Sequence, residues 1–232
     1  MNIRQQNLYN YYKSETDVSL ENRFSNAITN TFFKPVFNNA ILEKFNVLIF
    51  EGSQGLLLDA DCGYFPNVTP SLVGLNGIPE EYLPDAELYL VTRTYLTRHG
   101  NGYIPKTKGF DLDLSKKFET NVFNEYQGQF KIGTFDFDIL HDAISRHRID
   151  NQVKMYNIHP NLVITHFDVL PEKGNFPFYL NNNYTFIEYE NKAYVADLIR
   201  HYSSIDFKEV YINDSPRSNL INFETYFNHE RR

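Results

Sequence analysis

Tryptophan is absent from this 232-residue chain, and cysteine occurs once, at Cys62. A lone cysteine excludes an internal disulfide and a cysteine-rich zinc site, and it fits a cytoplasmic protein. Long apolar runs are missing too. No stretch approaches the roughly 20 residues that span a bilayer, and the opening Met1-Asn2-Ile3-Arg4-Gln5-Gln6-Asn7 lacks the apolar segment of a secretory leader. Membrane insertion and secretion are therefore not expected. Cations are outnumbered, with 22 Lys and Arg against 29 Asp and Glu and a net charge of −7. Tracking a nucleic acid needs clustered Lys and Arg, so that partner is excluded, whereas a single nucleotide needs only a local set of donors.

What is present is globular in composition, 42% hydrophobic and 22% charged. Residues 1–18 are polar and without period, and read as an arm; residues 19–232 read as a single domain. From Ser19, the positions Leu20, Phe24, Ala27, Ile28, Thr31 and Phe32 recur at helical spacing as far as Lys34-Pro35, and residues 41–45 read as a second short helix. The run Asn46-Val47-Leu48-Ile49-Phe50 reads as a strand buried on both faces. Similar strands are expected at 88–91 (continuing to Tyr95), 162–165 and 210–212. Helical periods at 137–149 and 193–202 lie among them. Strands alternating with helices imply an α/β fold, with a mostly parallel sheet and flanking helices. Residues 171–189, rich in Gly, Pro and Asn, read as a small antiparallel excursion.

In such sheets, ligands bind beyond the carboxyl ends of the strands. After the first apolar run comes Glu51-Gly52-Ser53-Gln54-Gly55, where flanking glycines let the backbone approach a ligand and the Gln54 carboxamide offers both a donor and an acceptor. Taken alone, Gly-x-Gln-Gly is more simply a tight turn with a capping Gln. The longer string is more specific. Phe50 to Gly55, then Asp59-Ala60-Asp61, Gly63, Pro66 and Val68-Thr69, resembles the inosine monophosphate (IMP) loop of the adenylosuccinate synthetase family. Further likenesses follow in order: Tyr95, Thr97-Arg98, Gly100, Gly102 and Pro105; Glu125-Tyr126 with residues 128–133 and Phe135-Asp136; Leu162 to Leu170; and, more loosely, Tyr211 to Arg217. The likeness runs from about Phe45 to Phe227.

The resemblance implies a partial P-loop-like ligase fold and a purine-nucleotide site. The family uses GTP to phosphorylate the 6-oxygen of IMP, and aspartate then displaces the phosphate. By matching position, Gln54 and Thr69 would hold IMP, Arg98 and Lys131 would belong to the substrate loop, and His166, Asp168, Asn213 and Ser215 would line the GTP site. His166 stands where the family has Lys, and 127–132 stands where the family places several arginines. The family's Gly-Asp-Glu-Gly-Lys-Gly-Lys phosphate loop has no counterpart before Phe45, so the likeness covers the family's second half. No catalytic residue is assigned. The Mg2+ that the family uses with GTP has no ligand here, and a partner chain supplying the phosphate loop is expected, together with a homodimer. A non-catalytic nucleotide sensor or scaffold, or a truncated inactive product, are the alternatives.

Other residues read as structural. Asp59 and Asp61 fall in a structural part of the loop, and they would raise the pKa of Cys62, which reads as a packing residue. His141 and His147, six apart, do not have the spacing of a metal pair and read as surface residues. His99 reads as a loop residue without a role.

Overall fold

The computed structural model describes residues 44–105, 125, 128–215 and 221–224. The arm at 1–18, the helix at 19–34 and most of the short helix at 41–45 lie outside the described residues. The chain divides into two compact units, Met1–Phe50 and Glu51–Arg232. In the first unit, the run 46–50 is not the buried strand its composition implies. It has no strand pairing, Val47 is 75% exposed and Ile49 90%. An apolar run becomes a strand only where a neighbour takes up its N–H and C=O groups, and among the described residues no strand does so.

Among the described residues of the second unit, a four-stranded sheet has the order β1-β5-β8-β9, built from β1 (Glu87–Arg93), β5 (His159–Thr165), β8 (Glu209–Ile212) and β9 (Ile221–Asn222). The first three are parallel, with Leu90 opposite Leu162 and Ile164 opposite Ile212; β9 closes the sheet antiparallel. β5, one of the two inner strands, is buried from Pro160 to Ile164. Among the described residues β1 is an edge strand, and it alternates, leaving Tyr89 and Val91 exposed on one face. It stops at Arg93, short of Tyr95.

A second sheet has the order β4-β6-β7, from β4 (Phe135–Asp136), β6 (Gly174–Leu180) and β7 (Asn183–Tyr189). The expected antiparallel excursion is the β6–β7 hairpin. Its turn residues Asn181 and Asn182 have φ of 52° and 60°, the left-handed pair that a two-residue hairpin turn requires and that Asn tolerates. Asp138 holds this turn by accepting the Asn181 and Asn182 amides at 2.9 and 2.7 Å. Asp138→Ala is expected to cost about 1 kcal/mol, read as a lower urea midpoint with an unchanged slope; no change would mean that the Asn pair holds the turn unaided.

Among the described residues, three α-helices accompany the sheets: α1 (Phe137–Arg146), α2 (Ile149–Met155) and α3 (Ala193–His201). Asp136 caps α1, its Oδ1 accepting the amides of Asp138 and Ile139 at 2.9 and 3.1 Å. The single helix expected over 137–149 is broken because Arg148 takes a left-handed φ of 51°. α3 buries Ala193, Ala196 and Ile199, one apolar stripe. Its face, the Phe137 ring, the Phe135, Phe176 and Phe178 rings, and Leu162, Ile164, Val210 and Ile212 share one core. No helix among the described residues is long and apolar enough to cross a membrane.

Candidate functional site

The carboxyl ends of β1, β5 and β8 lie side by side, since Arg93 pairs with Thr165 and Ile164 with Ile212. Beyond β5, the chain turns at His166 (φ 57°) into a short 3-10 turn, Phe167–Val169, that carries Asp168. Two backbone bonds tie this turn to the end of β8: the Asn213 amide donates to Ile164 O at 2.9 Å, and the Phe167 amide donates to Asn213 O at 3.1 Å. A third tie comes from the end of β1, where the buried Thr94 hydroxyl donates to His166 O at 3.0 Å. Thr165 spends its only hydroxyl proton on Thr92 O at 3.2 Å, so the His166 Nδ1, 3.1 Å from Thr165 Oγ1, is the donor of that pair. The imidazole meets the Tyr95 ring edge-on at 5.7 Å between centroids. The structure therefore gathers His166, Asp168 and Asn213 at one strand-end cluster, with half-buried Ser215 following two residues after Asn213.

Gln54 and Thr69 lie on a compact loop whose organising residue is Asp59. This carboxylate is fully buried. Its Oδ1 accepts the amides of Asp61 and Cys62 at 2.8 Å each, and its Oδ2 accepts that of Val73 at 2.6 Å. Burial pushes its pKa up, but the three amides and nearby His147 outweigh that and hold it below the usual carboxylate range. These three bonds give Asp59 a part in holding the loop together. Gly63 is required because a Cβ there would sit 2.4 Å from Leu57 O and 2.5 Å from Asp59 O. Thr69 closes the loop, its amide and hydroxyl both donating to Leu58 O at 2.8 and 2.9 Å. Gln54 is exposed, at a left-handed φ of 74°.

α1 holds this loop from behind. Tyr64 donates its hydroxyl to Asp142, which also takes Arg146 Nε at 2.7 Å, while the Arg146 guanidinium lies 4.8 Å from the Tyr64 ring centre. Burial first, and the Asp142 hydrogen bond second, push the Tyr64 phenol up to about 12. His147, read from sequence as a surface residue, is buried at 3% exposure, with its Nε2 2.8 Å from Leu56 O. The reason is that α1 ends at Arg146, and the following turn folds the imidazole inward.

Arg98 and Lys131 face each other in a register not evident from their sequence positions. They are directly opposed on the antiparallel pair β2 (Leu96–His99) and β3 (Phe130–Gly133). The Arg98 guanidinium is committed to the main chain, donating to Asn101 O at 2.7 Å and Asn67 O at 2.9 Å, and it ties β2 to the Asp59 loop. Burial lowers its pKa from the ordinary arginine value. Gly102, at φ 110°, makes room for it, since a Cβ there would meet Arg98 Nε at 2.4 Å. His99 lies on β2 rather than in a loop, with its ring 4.9 Å from that of Phe130.

Both halves of this arrangement, a Gln-bearing loop and a carboxylate turn at parallel strand ends, coincide with a family match. The adenylosuccinate synthetase model matches residues 3–176. The chain belongs to the adenylosuccinate synthetase family. It is 34% identical over 145 residues to the adenylosuccinate synthetase of Wigglesworthia glossinidia brevipalpis, covering 56% of this chain and 32% of that protein. With the enzyme of Aquifex aeolicus it shares 44% over 130 residues, 53% of this chain and 28% of the relative. With that of Hydrogenobaculum sp. it shares 38% over 84 residues, 32% of this chain and 20% of the relative. The chain thus spans a third or less of the length of these curated relatives. The match takes in residues before Phe45, where no motif was legible, and ends before Asn213 and Ser215. Gln54, Thr69, Arg98, Lys131, His166 and Asp168 all lie inside it.

Proposed function

We propose that this chain forms the nucleotide-holding part of a cytoplasmic adenylosuccinate synthetase-type ligase, taking IMP at the Gln54 loop and GTP at the Asp168 turn. The observation that carries the proposal is the clamping of the Asp168 turn to β8 through Asn213, because it presents a carboxylate beside a strand end, where a guanine's paired N–H groups would meet charge-assisted acceptors. Gln54 offers a carboxamide to the hypoxanthine edge, and Thr69 keeps its loop closed. Arg98 acts as a positioning residue, since its guanidinium is used on two carbonyls. Lys131, opposite it in the β2–β3 register, would offer a cation to an anionic substrate.

The Mg2+ that the family employs with GTP does not fit the residues described. The cluster with convergent metal-ligand atoms among them is Asp59, Cys62 and His147, a donor set with sulfur and imidazole, whereas Mg2+ takes oxygen ligands in octahedral array. The phosphate loop is proposed to come from a separate chain. The exposed apolar run 46–50 and, separately, the exposed Tyr89 and Val91 on edge strand β1 support such a partner; a homodimer would also cover them.

Calorimetric titration with IMP and GTP separately tests the reading. Loss of two charge-assisted hydrogen bonds at about 1.5 kcal/mol each predicts that Asp168→Ala weakens GTP at least 100-fold, and loss of one neutral bond that Gln54→Ala weakens IMP about tenfold. Affinities that ignore both substitutions, or no binding of either nucleotide, would overturn it. Adding a chain that carries the phosphate loop, and assaying ligation with aspartate, separates a working enzyme from a non-catalytic sensor.

A further inference from the structure

Asp59, Cys62 and His147 bring a carboxylate oxygen, a thiol sulfur and an imidazole nitrogen within 4.8 Å of one another. Asp59 and His147 are buried, and Cys62 is half-buried. The orientation of the imidazole is set from outside the cluster. Its Nε2 lies 2.8 Å from Leu56 O, a carbonyl that accepts only from an N–H, so in the neutral imidazole that a metal ion requires the Nδ1 carries the lone pair. A histidine anchored through one nitrogen to a backbone carbonyl, with the other nitrogen facing a thiol, has the outer-shell arrangement usual for metal-bound imidazoles.

The group at the point of convergence is the Asn76 carboxamide. Its Nδ2 donates to both Cys62 Sγ, at 3.5 Å, and His147 Nδ1, at 3.4 Å. An N–H pair stands there because both lone pairs require an electropositive neighbour, and these two bonds are long ones. The other end of the carboxamide is held equally loosely, Oδ1 accepting from Gln152 Nε2 at 3.4 Å. Turning the carboxamide end for end would aim Oδ1 where Nδ2 now points. Asp59 Oδ2 accepts the Val73 amide, and the Cys62 thiol bonds the same carboxylate, a proton that a metal ion would replace.

We propose that Cys62, His147 and Asp59, with Asn76 as a fourth ligand after rotation of its carboxamide, form a binding site for a borderline-soft divalent cation of the Zn2+ class. Sulfur and imidazole donors select such an ion over Mg2+ or Ca2+. Bond lengths of about 2.0–2.3 Å to a tetrahedral ion require ligand atoms about 3.3–3.8 Å apart, so the cluster closes by about 1 Å on binding, within reach of a half-buried cysteine on a loop. The Cys62 thiol is held protonated by burial first and by the Asp59 charge second, so binding releases a proton. The consequence is a cross-link between the loop that carries Gln54 and Thr69 and the end of α1. The inference does not depend on the nucleotide reading.

Co2+ serves as the spectroscopic probe. Titration of the chelator-treated full chain is expected to give one equivalent of bound Co2+, with a thiolate-to-cobalt charge-transfer band and intense tetrahedral visible bands that Zn2+ displaces. Cys62 is the only cysteine, so Cys62→Ser must abolish the charge-transfer band. His147→Gln and Asn76→Ala are each expected to weaken binding at least tenfold. Circular dichroism checks each variant's fold first, and Asn76→Ala carries the test if His147→Gln does not fold. No charge-transfer band at millimolar Co2+ overturns the proposal, as does a band whose affinity is the same in every folded variant that retains Cys62, the behaviour of a lone thiolate.

Discussion

Asp59→Ala is expected to destabilise the protein by about 4 kcal/mol, because each buried donor stranded without an acceptor costs about 1–3 kcal/mol. The carboxylate serves three amides, and that of Val73 is the most deeply placed, its residue being 4% exposed. Water can reach the Asp61 amide more readily, since that residue is exposed, which keeps the total below the sum of three full penalties. Asp59→Asn is not a mild substitute. One end of the amide would still accept, but the other would set N–H2 against an N–H, so a loss of about 2 kcal/mol is expected. Urea denaturation measures both, and a loss under about 1 kcal/mol for the alanine variant would remove Asp59 from its place as the loop's organiser. The pH dependence has a definite sign. With its folded pKa below the unfolded value, the group contributes stability that is fully present above the unfolded pKa of about 3.9, and that is lost as pH falls through the folded pKa. The alanine variant should therefore lose less stability than the parent below about pH 4.

Phe137→Ala is the second large effect, about 3–5 kcal/mol for a buried phenyl ring. Phe137 is 0% exposed, and its ring centre lies 5.0 Å from that of Phe135, 5.4 Å from Phe178 and 5.3 Å from Tyr202. These neighbours come from β4, from β6 and from the residue after α3, so one cavity would loosen the second sheet and two helices together. Phe137→Leu retains much of the volume and is expected to cost about 1–2 kcal/mol. If the alanine variant proved no worse than the leucine one, the aromatic cluster would be able to collapse around the gap. Since α1 begins at Phe137 and holds the Asp59 loop through Asp142 and the turn at His147, the alanine variant should also weaken IMP binding if the Gln54 reading holds.

The elements legible in the sequence are those whose signal is local. β5, β8 and α3 follow from short apolar runs and a helical stripe, and each lies within a few residues of its expected bounds. The β6–β7 hairpin lies in the span 171–189, whose Gly, Pro and Asn content marked an antiparallel excursion. β2 and β3 were not legible, because Thr97, Arg98 and His99 carry no strand pattern and are ordered by pairing with residues far along the chain. The division of α1 from α2 was hidden as well, since nothing in Arg148 announces a left-handed backbone. The run 46–50 misled in the opposite sense. Its composition states what it would bury, and not whether a neighbour is there to bury it.

The same distinction holds at the candidate site. Family membership, the Gln54 loop, the Asp168 turn and the single cysteine follow from the order of residues alone, because motif spacing survives in one dimension. Tertiary structure alone tied the Asp168 turn to the end of β8 through two backbone bonds, committed Arg98 to two carbonyls, and turned His147 from an outward residue into one facing Cys62 and Asp59. The physical reason is that hydrogen-bond partners and ligand sets depend on distances between atoms remote in the chain. Those distances arise only once the sheets and α1 have packed around their shared core.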